Sequence, residues 1–524
     1  MTNKFAPIKA LMDTDAYKLD HRRQYPEGTQ FVLSNMTARG TRIEGVTHTI
    51  NFGLQYFLKT WIDRAWKPFF EADEDEVAAL YEEFTTSVLG PNDIGTDHIR
   101  ALHRLGYLPL RFRSLPEGAR VPLRVPYFTV ENTHPDFFWV TNYIETALSS
   151  FIWHPSTSAA TADRFRALLD QWAVKTTGST AGVQWQGHDF SFRGLPGADA
   201  AAASGAGHLL SFTGSDSLNV VNFVNEFYDG DNGLILGSVP ATEHSVMCSG
   251  AADAPRNDKG EIDEIETYER LLDLYPGGIV SVVSDTYDLW AVLTSVLPRL
   301  KDKILARDGK LVIRPDSGDP VDILTGTVSF VGGGRGEEWY PGWTKNEIAT
   351  PAEIGVVELL WSTFGGTINE QGYKVLDPHI GAIYGDSITY DRAEEIFQRL
   401  EAKGFASTNV VFGVGSYTYQ YVTRDTFQTA IKATHVTING VGKEIFKDPA
   451  TDNGMKKSAK GRLAVVWGFN QATGHQDYIL LDGAAGAEVE GTSADMLTTV
   501  WKDGEFVKEY SFDEVRKNLH PEGL

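Results

Sequence analysis

Two stretches decide the predicted fold: I-V-S-V-V-S-D-T-Y-D at Ile279 to Asp288, and L-V-I-R-P-D-S-G-D-P at Leu311 to Pro320. Each is a short apolar run that ends on charged residues. Between them, apolar residues recur at the i, i+3, i+4 spacing of a helix, at Leu289, Val292, Leu293, Val296 and Leu300. Strand, helix and strand predict a βαβ unit with parallel strands and a right-handed crossover. Both strands should therefore end at the same edge of the sheet.

Seven predicted strands between about 162 and 430 alternate with helices, and each ends on polar residues or glycine. Their ends are marked by Arg193, Asp216, Glu243 with His244, Asp285, Arg314 with Asp316, Gly385 with Asp386, and Gly413 with Gly415 and Ser416. This pattern favours an α/β barrel with a polar site at the carboxyl ends of its strands. An open doubly wound sheet would instead place its site at one switch point.

The remainder of the 524-residue chain predicts a mixed α+β domain. Strands interrupted by a Pro-Glu-Gly turn precede residue 135, and mixed elements return near 432. The predicted division is therefore residues 1–160 with 432–524 in a mixed domain and residues 161–431 in the barrel. The glycine-rich stretch at 331–338 is interpreted as an inserted surface loop, because no helix start follows it closely.

Composition excludes several classes of protein. The net charge of −23 argues against a nucleic-acid or anionic-membrane partner. Cys248 is the single cysteine, so the chain has no disulfide framework. The sequence has no apolar run of about 18 residues and no signal-peptide pattern at its start, so we expect a cytoplasmic protein.

The polar strand ends predict the chemistry of the site. Guanidinium groups bind phosphate oxygens in pairs, and neighbouring carboxylates can support Mg²⁺. The groups concerned are Arg193, Arg314, Arg424, Asp216, Asp285, Asp316, Asp386 and His244. They indicate that the ligand is a phosphorylated sugar or nucleotide. The sequence contains neither a Walker A motif nor a convincing dinucleotide-binding glycine motif, which argues against the P-loop and Rossmann classes. Alternatively, each group could serve structure alone, with Asp285 and Asp386 capping helices.

Several long motifs resemble the nicotinamide phosphoribosyltransferases. They are A-T-E-H-S at 241–245, Y-G-D at 384–386, D-T-D-A-Y-K at 13–18, F-T-V-E-N-T at 128–133, S-F-D-E-V-R-K-N at 511–518, the basic loop beginning F-K-D-P at 446, and the two stretches quoted above. The resemblance implies transfer of phosphoribosyl from 5-phosphoribosyl-1-pyrophosphate to nicotinamide in NAD salvage. It also implies a seven-stranded barrel of the quinolinate-phosphoribosyltransferase type, a homodimer, Mg²⁺, and ATP-dependent phosphorylation of a histidine.

The resemblance also implies a role for each matching residue. His244 would be phosphorylated, with Glu243 and Asp285 beside it. Phe190 and the partner subunit's Tyr17 would enclose the pyridine ring, and Asp216 would accept a hydrogen bond from the carboxamide. A carboxylate there also repels nicotinate by like charge. The ribose, phosphate and pyrophosphate would be held by Arg193, Arg314, Asp316, Gly385, Asp386, Gly415 and Arg424. Across the dimer interface, the phosphates would contact Arg39, Lys447 and one of Lys456 and Lys457. Lys432 matches a family lysine near the site, and Asp15 would also belong to the substrate-binding residues.

The sequence departs from the family pattern at three places. Ser416 stands where a glycine is expected after the last barrel strand, the basic loop is one residue longer, and about 25 residues are extra around 330 to 350. Three alternatives stay open: a nicotinate phosphoribosyltransferase, a glycosidase-like barrel with paired carboxylates, and a binding protein of the same fold. The rim arginines disfavour the glycosidase, because neutral sugars do not require them.

Overall fold

The computed structural model describes residues 3–230, 235–256, 260, 262–327, 349–385, 387–451, 457–471 and 474–524. The chain divides into two compact units. The first comprises residues 1–160, 222–233 and 422–523, and the second comprises residues 161–221, 234–421 and Leu524. The first unit therefore draws on three separate segments of the sequence.

The second unit is built on a parallel sheet of six strands. In their order around the sheet these are Gly214–Ser215, Gly187–Asp189, Val410–Val414, Ile380–Tyr384, Asp308–Arg314 and Gly277–Val283. The two edge strands both pair with the segment that contains Gly237 and Thr242. Ser215 N–H donates to Gly237 O at 3.1 Å, and Thr242 N–H donates to Ser281 O at 2.9 Å. This segment closes the ring, which confirms the predicted seven-stranded barrel.

The predicted βαβ unit is also confirmed. Its strands pair in parallel from Gly277 opposite Asp308 to Val283 opposite Arg314. The crossover consists of the helical turn Leu289–Ala291, the π-helical turn Val292–Val296 and the helix Leu297–Leu305. The five apolar residues that predicted this helix are all buried in the core between the strands and the surrounding helices. Apolar periodicity therefore identified the buried face correctly.

Further helices surround the barrel strands or follow them in the chain. They are Ala198–His208, Asn219–Phe227, His244–Gly250, Ile265–Leu274, Pro320–Thr325, Pro351–Ile354, Val356–Phe364, Tyr390–Ala402 and Ser416–Tyr419. A short hairpin pairs Gly366–Ile368 with Lys374–Leu376. The amphipathic helix predicted around Phe165 to Trp172 is part of a longer helix, Glu145–Thr177, which continues through Pro155.

The first unit contains a seven-stranded antiparallel sheet. Its strands, in order, are Val441–Glu444, Thr429–Ile438, Thr29–Ala38, Pro126–Asn132, Leu110–Ser114, Thr498–Lys502 and Glu505–Phe506. A separate hairpin joins Leu463–Asn470 to His475–Asp482, and His48–Ile50 pairs with Arg120–Pro122. Helices of this unit include Leu54–Phe57, Lys67–Glu71, Glu74–Leu89, Asp97–Leu105, Gly483–Val489 and Phe512–Leu519.

Two sequence features need separate mention. The glycine-rich stretch at 331–338 lies outside the described residues, as does most of the insertion around it. Across the described parts of the chain, none of the helices combines the length and the apolar character that crossing a lipid bilayer requires.

Candidate active site

A cavity of about 180 Å³ opens at the carboxyl ends of the barrel strands. Its lining residues are Phe190, Arg193, Asp216, Arg314, Asp316, Gly385, Gly415 and Ser416. Parallel strands deliver their carboxyl ends to one edge, so residues far apart in the sequence meet there. Seven of the predicted binding residues line this cavity together with Ser416.

The ring of Phe190 lies against the backbone of the last barrel strand. Phe190 N–H donates to Val414 O at 3.0 Å, which continues the pairing between the strands Gly187–Asp189 and Val410–Val414. A Cβ atom at Gly413 would lie 2.5 Å from Phe190 Cδ2. Glycine is therefore required at 413 to leave room for the aromatic ring, which presents a flat apolar surface to the cavity.

Asp216 is held by two hydrogen bonds to the same oxygen. His188 Nε2 donates to Asp216 Oδ1 at 3.0 Å, and the Ser238 hydroxyl donates to it as well. Partial burial alone would raise the pKa of Asp216, but these two bonds and the nearby charge of Arg314 outweigh burial and lower the pKa. The carboxylate is therefore a fixed negative charge at neutral pH.

Arg314 supplies a half-buried positive charge to the cavity. Its Nη2 donates to Thr242 O at 2.6 Å, while its Nε is buried without a hydrogen-bond partner in the described structure. Burial lowers the pKa of Arg314, although a guanidinium stays charged in proteins. Arg193 lines the same cavity and is exposed. The two guanidinium groups can bind an anion such as phosphate.

Asp285 connects two neighbouring strand ends rather than capping a helix. Its Oδ2 accepts hydrogen bonds from Asp316 N–H at 2.9 Å and from the Ser317 hydroxyl at 2.6 Å. Asp288, three residues later, caps the following helix by accepting from Trp290 and Ala291 N–H. The capping alternative is therefore wrong for Asp285, since its carboxylate fixes the turn that carries Asp316.

His244 begins the helix His244–Gly250 and is half exposed. Its Nδ1 lies 3.3 Å from Thr286 Oγ1, and its Nε2 lies 3.8 Å from Asp316 Oδ2. Glu243, the preceding residue, accepts a hydrogen bond from the Ser245 hydroxyl. A Cβ atom at Gly385 would lie 2.7 Å from Asp316 Oδ1, so this glycine leaves space for the carboxylate next to the histidine.

The remaining described site residues form a cluster in the first unit. Tyr17 is largely exposed, and its hydroxyl donates to Asp15 Oδ2 at 3.0 Å. Lys432 lies 3.9 Å from Glu145, and its pKa is lowered mainly by burial and further by the charges of Arg39, Lys447 and Arg424. Lys432 thus lies near three other cationic side chains, which makes this surface suited to an anionic group.

Two predicted site residues, Asp386 and Lys456, lie outside the described residues. Lys457 pairs with Asp448 at 3.2 Å. Lys447 N–H donates to Ser458 Oγ at 2.9 Å, so the two ends of the basic loop are joined.

Sequence reasoning missed the polar residues that hold the site residues in place. These are His188, Ser238, Thr286 and Ser317. A signal existed for one of them: His188 lies two residues before Phe190, and side chains at i and i+2 share one face of a strand. The two rings are 4.9 Å apart. The other three lie in loops whose course local periodicity does not predict.

The described residues contain no group of three or more His, Cys, Asp or Glu side chains arranged to hold a metal ion. Mg²⁺ commonly keeps several waters and takes substrate phosphate oxygens as ligands. The requirement for Mg²⁺ that the resemblance implies stays a prediction.

Comparison with known families gives two matches. Residues 185–503 match the nicotinate phosphoribosyltransferase (NAPRTase) family, and residues 9–111 match the nicotinamide phosphoribosyltransferase N-terminal domain. The chain is 46% identical to a nicotinamide phosphoribosyltransferase of Acinetobacter baylyi over 99% of this chain and 98% of that relative. It is 34% identical to one of Xanthomonas campestris, over 97% of each chain.

Solved structures agree on the fold. A nicotinate-nucleotide pyrophosphorylase from Pyrococcus furiosus superimposes with a TM-score of 0.54 at 15% identity, over 100% of this chain and 97% of that chain. The human nicotinic acid phosphoribosyltransferase gives a TM-score of 0.53 at 17% identity, over 97% and 93%. At these identities the likeness concerns the fold alone.

Proposed function

The chain belongs to the nicotinate phosphoribosyltransferase family and carries the N-terminal domain of the nicotinamide phosphoribosyltransferases, and from this membership we propose that it makes nicotinamide mononucleotide and pyrophosphate from nicotinamide and 5-phosphoribosyl-1-pyrophosphate. The observation that carries the proposal is the cavity in which Phe190, Asp216 and two arginines meet. An aromatic face, a fixed carboxylate and cationic groups match a neutral pyridine amide and a phosphorylated ribose. The reaction serves NAD salvage.

Asp216 selects the neutral pyridine. Its carboxylate accepts a hydrogen bond from the carboxamide NH₂ of nicotinamide, whereas the carboxylate of nicotinate would meet a like charge. The pyridine ring packs on Phe190, and the ring nitrogen is then directed toward C1 of the ribose. This arrangement favours nicotinamide over nicotinate.

The chain's own contribution to the chemistry is positioning and charge. Arg314 and Arg193 bind anionic oxygens and stabilise the negative charge that develops as pyrophosphate leaves C1. The pyridine nitrogen then attacks the oxocarbenium-like carbon, forming the N–C1 bond. Holding both reactants in one cavity supplies much of the rate enhancement. Magnesium, when bound to the phosphates, would further neutralise their charge.

Phosphorylation of His244 by ATP is part of the proposal. The support is its half-exposed imidazole, which is accessible to a phosphoryl donor and close to Asp316. We expect His244→Ala to abolish ATP stimulation and to leave a slow ATP-independent reaction, measured as mononucleotide formed with and without ATP. His475→Ala, at an exposed histidine of the first unit, is the matched control. Full ATP stimulation in His244→Ala would contradict the role.

A homodimer with shared sites accounts for the cationic cluster of the first unit. Tyr17, Arg39, Lys432 and Lys447 would then complete the partner's site. Mixing Arg39→Ala protein with Asp216→Ala protein tests this, because a mixed dimer of two defective chains carries one intact site. At equal mixing, about a quarter of wild-type activity should return after subunit exchange. No recovery in dimers that have demonstrably exchanged subunits would contradict the shared site.

The deciding experiment is turnover. Purified enzyme should convert nicotinamide and 5-phosphoribosyl-1-pyrophosphate to the mononucleotide, with a far higher kcat/KM than with nicotinate. Preference for nicotinate would instead support the sister activity, and no turnover with either base would favour a binding protein. A cytoplasmic location belongs to the same proposal and is supported by the single cysteine, Cys248.

A further inference from the structure

The helix Ile265–Leu274 contacts two elements of the active site. A Cβ atom at Gly250 would lie 2.7 Å from Thr267 Cγ2, so this helix packs tightly on the helix that begins at His244. The Tyr268 hydroxyl donates to Ser284 Oγ at 2.9 Å, and Ser284 directly precedes Asp285. The helix therefore packs against the helix that begins at His244 and against the residue that precedes Asp285.

Glu264 occupies the position before this helix, and its residue is only 1% exposed. Its backbone carbonyl accepts from Tyr268 N–H at 3.1 Å, one helical turn from the contact with Ser284. Two carboxylate oxygens in this region, Glu264 Oε1 and Asp285 Oδ1, are buried without a hydrogen-bond partner among the described residues. Nothing in the reaction described above uses Glu264.

A buried carboxyl group and a partly buried carboxylate that influence each other cannot both ionise without a cost. Burial raises the pKa of Glu264 to about 7, and the negative charges of Asp285, Asp288 and Asp263 contribute after burial. Asp263 is neutralised by a bidentate ion pair with Arg299, at 2.8 to 3.0 Å. Asp288 is engaged as a helix cap. Of these three charges, Asp285 has the largest effect on Glu264.

Two tyrosines that interact with Glu264 are neutral at pH 7. Tyr268 is fully buried, and burial raises its pKa. Tyr287, whose pKa is raised by burial and by neighbouring Cys248 and Glu264, also remains protonated. The charge balance of this region therefore depends on the proton of Glu264.

We propose that Glu264 is a positioning residue of this active site: its buried carboxyl group is protonated below neutral pH, and the neutral group lets Asp285 stay ionised and hold the turn that carries Asp316. This inference rests on the proposed function, since it concerns the same site. Loss of the Glu264 proton would place a second negative charge near Asp285. Asp285 would shift, and the hydrogen bonds to Asp316 and Ser317 would weaken.

The consequence is a fall in kcat/KM above neutral pH. With Glu264 half ionised near pH 7, kcat/KM should drop about fivefold between pH 7 and pH 8 if the ionised form is inactive. Glu264→Gln is neutral at every pH and keeps the size of the side chain. Its kcat/KM should stay level over this range, whereas a residue with only a structural role would leave the shape of the profile unchanged.

The matched control is Glu266→Gln, at an exposed residue on the same helix, which should keep the wild-type profile. Ionisation of the substrates affects all three proteins equally and cancels in the comparison. A wild-type profile in folded Glu264→Gln would overturn the inference. Failure of the wild-type enzyme to form the mononucleotide would instead count against the proposed function.

A second measurement needs no substrate. Infrared pH titration of the wild-type protein should show the carbonyl band of a protonated carboxylic acid that disappears with a midpoint near pH 7. Folded Glu264→Gln should lack this band. Absence of any such band with a midpoint between about pH 6 and pH 8 would overturn the inference.

Discussion

Asp285 and Asp316 are joined by a hydrogen bond of 2.9 Å from the backbone N–H of Asp316 to the carboxylate of Asp285. The two residues follow neighbouring parallel strands and lie far apart in the sequence. The bond fixes the turn after the second strand, and that turn places the Asp316 carboxylate 3.8 Å from His244. One side chain thus determines the relative position of two others.

Removal of this link should reduce activity more than stability. Asp285→Ala should lower kcat/KM about 100-fold, because a displacement of about 1 Å in a site can cost that much. Ser317→Ala removes one of the two hydrogen bonds to Asp285 and should lower kcat/KM about fivefold, which corresponds to about 1 kcal/mol. Asp288→Ala is the control: it loses a helix cap, so the free energy of unfolding should fall about 1 kcal/mol while kcat/KM changes little. Equal losses of activity in Asp285→Ala and Asp288→Ala would contradict this view.

Substrate selection should depend on the charge of Asp216. Asp216→Asn removes the repulsion of a carboxylate, so the ratio of kcat/KM for nicotinate to that for nicotinamide should rise about 10- to 100-fold. His188→Ala keeps the charge but loses a hydrogen bond, so it should lower kcat/KM for nicotinamide about tenfold without relaxing the selection. Since the pKa of Asp216 is lowered, the wild-type ratio should not change between pH 6 and pH 8. An unchanged ratio in Asp216→Asn would refute charge exclusion.

Ser416 occupies space next to Gly194 that a glycine at 416 would leave open. A Cβ atom at Gly194 would lie 2.2 Å from Ser416 Oγ and 2.3 Å from Ser416 Cβ, and the next nearest atom is 3.7 Å away. Gly194→Ala should therefore lower the free energy of unfolding by about 1–3 kcal/mol. Combining it with Ser416→Gly should restore most of that loss. A double-mutant cycle measures the coupling, and simple additivity would show that the two residues do not clash.

Acid should destabilise the second unit through His208. This residue is fully buried; its Nδ1 is 2.6 Å from the Tyr419 hydroxyl, and its Nε2 is 3.1 Å from Gly214 O. Burial lowers its pKa to about 4, although neighbouring Asp189 acts in the opposite direction. In the unfolded chain the pKa of His208 is near 6.5, so protonation of this residue favours unfolding. The stability that neutral His208 contributes is therefore present at neutral pH and is lost as the pH falls towards 4.

The His208 contribution should amount to about 3 kcal/mol of unfolding free energy lost between pH 7 and pH 4. Denaturant unfolding at several pH values measures it. His208→Gln should be less stable at pH 7 yet show a smaller loss on acidification than the wild type. His475→Gln, at an exposed histidine, should follow the wild-type slope. A steeper slope in His208→Gln would contradict the role of burial.

The sequence by itself determined the barrel and the position of its chemistry. Apolar periodicity placed strands and helices between Ile279 and Pro320, and a helical crossover joins parallel strands whose carboxyl ends share one edge. Residues such as Asp216 and Arg314 could be assigned to the cavity because they directly follow or end a strand. Local sequence pattern was enough for these assignments, because each one depended only on the end of a single strand.

Only the tertiary structure decided which groups face one another. The segment that contains Gly237 and Thr242 closes the ring with two backbone hydrogen bonds on each side, although its sequence predicted an ordinary strand. Asp285 could have capped a helix, yet it binds the turn after the neighbouring strand. Glu264 acquires its raised pKa from burial in the folded chain. Hydrogen-bond partners and desolvation depend on strand register and side-chain packing, and those are properties of the folded chain that no local stretch of sequence contains.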